Sequence, residues 1–283
     1  MPRPLPPDAD PDQLRELYEL EKRLADRLRE AAAADRPRLY NVVYDEFFRA
    51  LPDAAAPRPG DEQTRLQVEL LRPFFDEDTV FLEVGSGDGA LARTLAEQVG
   101  KIYAVDASQF IAESTGDMPS NLIPVLPEQL DSVVAPGSVD LAFSCHFLEH
   151  LHPDDLQDHL GQALSRLKPG APYLMVTPNR LHGPHDISGY FSETPEGFHL
   201  REYSHGDLAA ELRSAGFASV QALVGVGRRP AMRSVAVVSF LERLLEGLGT
   251  NLRRRLFDRH LAHQAPFRPL EQVMLIAWKS RKP

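Results

Sequence analysis

The chain has 283 residues, 43% of them apolar, so it can bury one large α/β core with appendages or two small domains. Its formal charge of -10 argues against a nucleic-acid partner, because phosphate binding draws on a surplus of Lys and Arg, and a small-molecule partner is expected instead. No apolar run reaches the roughly 20 residues of a membrane helix. The start 'MPRPLPPDAD' lacks the apolar centre of a signal peptide, and the single Cys145 leaves no disulfide framework, so a cytoplasmic protein without a transmembrane segment is expected.

The proline-rich opening predicts a disordered start. Leu14, Leu17, Leu24 and Leu28 then recur at helical spacing, and a second helix carries Leu39, Tyr40, Val43, Tyr44, Phe47 and Phe48. With the short helix 'TRLQVELLRPF' beyond a linker, residues 1–73 read as a helical cap. From Thr79 the texture changes to short apolar runs ended by Gly, Asp, Pro or Asn: 'TVFLEVG', 'KIYAVD', 'NLIPVL', 'VDLAFSC', 'PYLMVTPN' and 'ASVQALVG'. Helical patterns such as 'ALARTLAEQV' and 'DDLQDHLGQALSRL' separate them, which predicts a doubly wound α/β core with a mostly parallel sheet over residues 74–228. Residues 229–283 read as an inserted helix, a basic stretch 'NLRRRLFDRH' and a final edge strand 'QVMLIAWKS'.

'VFLEVGSGDGALARTL' is a strand, a glycine turn and a helix in succession, and Gly85, Gly87 and Gly89 let the backbone approach a ligand. Gly85, Gly87 and Ala90 also satisfy the dinucleotide pattern G-x-G-x-x-G/A. Charge separates the readings. A pyrophosphate at a helix N-terminus is repelled by a carboxylate in the turn, and here Asp88 lies inside it with Glu83 just before it. An ammonium or sulfonium is attracted. Asp106, about twenty residues on, stands where a carboxylate accepts from ribose hydroxyls.

'FLEVGSGDG', 'AVDAS', 'PGSVDLAFSCHFLEHL' and 'LKPGAPYLMVTPN' together resemble a class I S-adenosylmethionine-dependent methyltransferase, over roughly residues 75–226. The resemblance implies a Rossmann-like, seven-stranded sheet with an antiparallel last strand and S-adenosylmethionine as cofactor. It implies that Glu83 and Gly85 approach the methionine amino group, that Ser86, Gly87 and Asp88 line the turn, and that Asp106 and Ala107 take the ribose. It places Glu128 near the adenine, where the family usually has Asp, and Ser144 close to the methyl donor.

Ligands of open α/β sheets bind beyond the carboxyl ends of the strands. Seven of the ten histidines lie in or beside the two segments that follow strands four and five, 'CHFLEHLHPDD' and 'TPNRLHGPHDISGYFSETPEGFHLREYSHGD'. One reading is a general base, with His150, His199 and His146 the candidates, because imidazole titrates near neutral pH. A second is a divalent transition metal. His146, Glu149 and His150 share a face if helical, and the segment resembles the Glu-x-x-Glu-His motif of the metal-assisted branch, which includes the ubiquinone-pathway O-methyltransferases, with His146 in place of the first Glu. There a histidine after strand five completes the site, which implies His199 in 'EGFHLREY'; three imidazoles and a carboxylate suit Zn, Fe, Mn or Co. The third reading is a structural or substrate-orienting cluster. His182, His185, Tyr190 and Tyr44 are candidates for the acceptor pocket, while His152 and His205 read as surface or capping residues. The helix at 234–248 reads as a lid or a homodimer contact.

The expectation is methyl transfer to an oxygen, or else a nitrogen, of a small-molecule acceptor. The alternative is a non-catalytic nucleoside-binding sensor or scaffold, and an NAD-dependent oxidoreductase comes third.

Overall fold

The computed structural model describes residues 3–5, 9–51, 62–108, 118–224, 231–248, 270 and 272–281. Eight strands form one sheet: β1 (Val80–Val84), β2 (Lys101–Val105), β3 (Leu122–Val125), β4 (Leu141–Cys145), β5 (Pro172–Pro178), β6 (Ser219–Val224), β7 (Ala231–Ser234) and β8 (Gln272–Trp278). Their order is β3-β2-β1-β4-β5-β8-β6-β7, with β8 antiparallel to β5 and β6, and β7 antiparallel to β6. The strands read as apolar runs because helices cover both faces. On one side Leu156, Leu160, Leu208 and Leu212 of α6 (Leu156–Arg166) and α7 (His205–Ser214) meet Leu82, Tyr173 and Leu275. On the other, Leu71 of α3 (Glu62–Leu71) and Leu91 and Leu95 of α4 (Ala90–Leu95) meet Phe81, Phe143 and Ile276. A short α5 (Leu130–Val133) follows β3.

The doubly wound architecture and the antiparallel last strand are as expected, with three differences. The sheet carries an eighth strand, β7, where seven are implied by the resemblance. The last strand is not at an edge: β8 lies between β5 and β6, and its alternate residues are buried on both faces. The expected cap at 1–73 divides, since α3 buries Leu71 against the sheet and only α1 (Pro11–Glu30) and α2 (Arg36–Ala50) form a separate layer. In the opening, expected to be disordered, Arg3 is docked: its backbone N–H donates to the Gly189 carbonyl at 2.7 Å and its guanidinium to the Pro184 and Asp186 carbonyls at 2.6 and 3.0 Å. The basic stretch before β8 lies outside the described residues. The inserted helix, α8 (Val235–Glu246), packs on α7 and β6 through Val235, Val238 and Glu242 and leaves Val237, Phe240, Leu241 and Leu244 exposed.

The cap holds both histidine-bearing segments. Leu24, Ala25 and Leu28 of α1 and Val43 of α2 enclose Phe198, the residue before His199, in a small core of their own. Arg29 of α1 donates to the Glu196 and Gly197 carbonyls at 2.9 and 2.8 Å. Arg36 of α2, only 3% exposed, makes a forked pair with Asp155 beyond β4, at 2.8 Å through Nε and 2.6 Å through Nη2. Beside it, Tyr40 Oη accepts from the His152 N–H at 2.6 Å. His205, expected as a surface or capping residue at a helix start, does start α7 but is fully buried, its Nδ1–H donating to Glu242 at 2.7 Å.

Because Arg36 is out of water, removing its partner leaves an uncompensated cation. Asp155→Ala is expected to cost about 3 kcal/mol in urea unfolding. A loss below about 1 kcal/mol would show that the pair behaves as a solvated surface pair.

Candidate active site

The turn after β1 is built from left-handed backbone: Gly85, Gly87 and Gly89 have φ of 70°, 51° and 70°, a region that costs other residues 1–2 kcal/mol each. Gly85 has a second reason, since a Cβ there would lie 2.6 Å from Cδ2 of Phe147, in the segment after β4. A Cβ on Gly87 would meet nothing within 4 Å, so open space faces the turn at that point. The next strand end closes on this turn. Asp106 accepts from the Gly87 N–H at 2.8 Å with one oxygen and from the Ser108 N–H at 3.0 Å with the other, and Gly85 and Ser86 donate to the Val105 carbonyl at 2.8 and 3.1 Å. Burial raises the Asp106 carboxyl, against backbone hydrogen bonds from Ser108, Gly87 and Ala107.

Glu83, only 6% exposed, has a carboxylate oxygen, Oε2, without a partner among the described residues. Burial, then Asp88 and Asp106, pushes its carboxyl well above the usual range. A buried carboxyl with an unpartnered oxygen is complementary to a cation, whose arrival would offset the desolvation. Asp88 turns inward instead: its Oδ1 accepts from the Ala90 N–H at 3.0 Å at the start of α4. Glu128 sits exposed on the 3₁₀ turn after β3, with the Asn41 amide of α2 at 3.5 Å. Ser144 departs from expectation. Its hydroxyl accepts from Tyr173 Oη at 3.0 Å, and Tyr173 in turn meets His159 Nε2 at 3.0 Å, so the side chain belongs to the α6 side of the sheet and only its backbone reaches the cleft.

Beyond β4 the backbone does not form the helix on which His146, Glu149 and His150 would share a face. His146 has φ 51°, unusual for a residue with a Cβ, and a 3₁₀ turn follows at Leu148–His150. Both His146 nitrogens are engaged, Nδ1 with Glu149 Oε1 at 3.2 Å and Nε2 with Gln272 at 3.3 Å, and it is not among the three side chains that converge. Glu149 is fully buried, and its other oxygen accepts from Thr177 Oγ1 at 2.8 Å. Burial raises its carboxyl, but the His146 hydrogen bond and the charges of His150, His146 and His199 outweigh burial and bring it to about 2.

The side chains that converge are Glu149, His150 and His199, whose ligand atoms lie within 4.8 Å of one another. His150 Nδ1–H donates to the Phe198 carbonyl at 3.0 Å and His199 Nδ1–H to Glu202 Oε1 at 2.7 Å, so both imidazoles keep Nε2 without a hydrogen bond among the described residues. The rings stand edge to face at 5.2 Å. Burial lowers His150 to about 4, which keeps it neutral at neutral pH. For His199 burial pulls down, but the hydrogen bond to Glu202 and the charge of Glu149 raise it overall.

Of the residues expected in the acceptor pocket, Tyr44 is brought to this cluster. Its ring stacks on Phe198 at 5.1 Å and meets His150 edge-on at 6.2 Å, and its buried hydroxyl has no partner among the described residues. Burial, then the charges of Tyr40, Asp106 and Glu149, pushes that hydroxyl well above the usual tyrosine range. His185 and Tyr190 are occupied elsewhere, His185 Nε2 on the Asn179 carbonyl at 2.8 Å and the Tyr190 ring under the Arg3 guanidinium at 4.9 Å. His182 lies in the 3₁₀ turn Arg180–His182 after β5.

Residues 19–222 match a family model described as a methyltransferase domain, more than half of the chain. The chain belongs to the S-adenosylmethionine-dependent methyltransferases. It is 32% identical over 178 residues to the ubiquinone biosynthesis O-methyltransferase of Paramagnetospirillum magneticum, covering 57% of this chain and 67% of that enzyme. It is 26% identical over 116 residues to phosphoethanolamine N-methyltransferase 1 of Triticum aestivum, covering 39% of this chain and 23% of that enzyme. Its fold matches an S-adenosylmethionine-dependent methyltransferase from Archaeoglobus fulgidus with a TM-score of 0.51, at 18% identity over 85% of this chain and 100% of that one. The methyltransferase family accounts for S-adenosylmethionine as the cofactor and for the open turn at Gly87.

Sequence reasoning missed four residues that hydrogen-bond to the candidate residues or their neighbours. Thr177 read as strand core, Glu202 stood unremarked three residues after His199, and Asn41 and Asp45 lay within a helix read only for its aromatics. The Glu202 spacing was a usable signal, the i+3 offset that orients an imidazole.

Gly87→Ala is expected to keep the fold at a cost of about 1 kcal/mol while weakening S-adenosylhomocysteine binding at least roughly tenfold by calorimetry, because the new methyl enters the open space. Gly85→Ala is expected to destabilise the protein by several-fold more in the same unfolding assay, since it also drives a methyl into Phe147. Equal unfolding costs for the two variants would contradict this.

Proposed function

We propose that this methyltransferase transfers its methyl group to an oxygen of a small-molecule acceptor bound between Tyr44 and the Glu149–His150–His199 cluster, and that the cluster holds a divalent transition metal. The observation that carries the reading is the convergence of one carboxylate oxygen and one ring nitrogen from each of two imidazoles within 4.8 Å, with both Nδ1 positions tied to acceptors so that Nε2 is the nitrogen left to bind. Metal-bound histidines are held in this way, by a carbonyl or carboxylate behind the ring. Two imidazoles and a carboxylate suit Zn, Fe, Mn or Co and leave coordination positions open.

S-adenosylmethionine supplies a methyl group already activated by its sulfonium, and a metal in the cluster would supply positive charge beside the acceptor oxygen. The residues of the chain do the rest. Glu83 takes the ammonium group, the Asp106 carboxylate takes the ribose hydroxyls, and Tyr44 Oη hydrogen-bonds the acceptor from the cofactor side. Phe147 and Phe198 close the apolar walls. The protein thereby orients two reactants for an in-line displacement and excludes water, which is where most of the rate enhancement of such a reaction originates. Relatives named for O- and for N-methylation both match this chain; the cluster, acidic and histidine-lined, favours an acceptor that must lose a proton, hence oxygen.

A second reading has one observation behind it: His199, raised by Glu202 and with Nε2 free, is suited to take the acceptor proton itself. Elemental analysis of the purified protein, together with transfer of labelled methyl to hydroxylated acceptors before and after chelation, separates the two. The metal reading expects about one equivalent of metal, loss of activity on chelation and recovery on adding back Mn, Co or Zn. Glu149→Gln is expected to lower metal affinity roughly 10- to 100-fold. Full activity of metal-free protein would leave only the base, and faster transfer to amino analogues than to hydroxy acceptors would overturn the preference for oxygen.

A further inference from the structure

Helix α2 touches both ends of the nucleoside site. Its Asp45 accepts from Ser108 Oγ at 2.7 Å, and Ser108 is the residue whose N–H donates to the ribose-binding Asp106. Four residues earlier, on the same helical face, the Asn41 side-chain amide donates to Glu128 Oε1 at 3.5 Å, at the carboxyl end of β3. The Asn41 carbonyl oxygen, Oδ1, is buried and has no partner among the described residues. Its orientation is set by chemistry: a carboxylate only accepts, so the Asn41 Nδ2 must face Glu128 and Oδ1 must face away from it.

We propose that Asn41 is an adenine-binding residue contributed by the cap, its Oδ1 accepting from the exocyclic amino group of the cofactor's base. With one Nδ2–H on Glu128, the carbonyl side of Asn41 offers the acceptor Oδ1 to the base, and Glu128 offers its second oxygen beside it. A 6-amino purine presents donors to them, whereas a 6-oxo purine presents a carbonyl and leaves buried Oδ1 facing another acceptor. An acceptor left facing an acceptor out of water costs more than a missing contact, and selectivity follows from that cost. The inference deepens the cofactor reading and rests on it. It also couples the cap to the cofactor, because α2 spans base and ribose, so a nucleoside enters or leaves only when the Asn41 and Asp45 contacts give way.

The test is calorimetric titration of the whole protein with S-adenosylhomocysteine and with its 6-oxo counterpart, S-inosylhomocysteine. The wild type is expected to prefer the adenosyl compound. Asn41→Ala, a change toward a better helix former, is expected to weaken adenosyl binding about 5- to 10-fold, the worth of one neutral hydrogen bond, and to strengthen inosyl binding, because the acceptor facing its 6-oxo group is gone. Glu128→Gln, on an exposed turn, frees the Asn41 amide to rotate and is expected to narrow the preference in the same direction. Asp45→Ala is expected to weaken both compounds equally. An unchanged preference in both Asn41→Ala and Glu128→Gln would overturn the role of Asn41 alone. A wild type that binds neither nucleoside would overturn the cofactor reading and this inference together.

Discussion

The site depends on one buried anion. Glu149 is fully out of water, and an isolated carboxylate there would be expelled or protonated. It stays charged because Thr177 and His146 donate to it and because His150 and His199 stand beside it. Its backbone participates as well, since the Glu149 carbonyl accepts from Leu200 N–H at 2.7 Å and Arg201 N–H at 3.2 Å. That pair of bonds joins the segment after β4 to the segment after β5, and so brings His199 to His150. A buried charge so surrounded is poor evidence for stability but marks a candidate site, and removing it alone would leave the Thr177 hydroxyl and the His146 ring without their acceptor.

The cap converts this local arrangement into a closed pocket. Each of its two helices holds one of the histidine-bearing segments, α1 through Arg29 on the carbonyls around Gly197 and α2 through the Arg36–Asp155 pair. Phe198 joins them: its ring sits in the core of the cap, its carbonyl fixes His150, and its neighbour is His199. The same helix α2 delivers Tyr44 to the acceptor side and Asn41 and Asp45 to the cofactor side. Asn41, Tyr44 and Asp45 thus lie within five consecutive positions of one helix.

Much of this was legible in the chain. The glycine turn, Asp106 and the strand succession are local patterns, set by backbone freedom and by burial on both faces of a parallel sheet, and each lies where it was expected. His146, Glu149 and His150 were grouped by a helical face and by the Glu-x-x-Glu-His resemblance, but the backbone enters a left-handed residue and a 3₁₀ turn instead, and the side chains that converge are Glu149, His150 and His199. Ser144 misled for the opposite reason. A strand alternates its side chains, and the one residue nearest the cleft along the chain points its hydroxyl to Tyr173 on the helix side. Thr177, Asn41 and Asp45 are tertiary facts: nothing in a single strand or helix says which partner its polar atom meets.

Electron density decides the central claim most directly. A crystal of the full chain grown with S-adenosylhomocysteine and soaked in cobalt or manganese should show, at the metal's absorption edge, one anomalous peak bounded by Glu149 and the Nε2 atoms of His150 and His199, beside a cofactor whose ammonium meets Glu83. An occupied cofactor site with no anomalous peak at the cluster, or a peak held by other residues, would contradict the account.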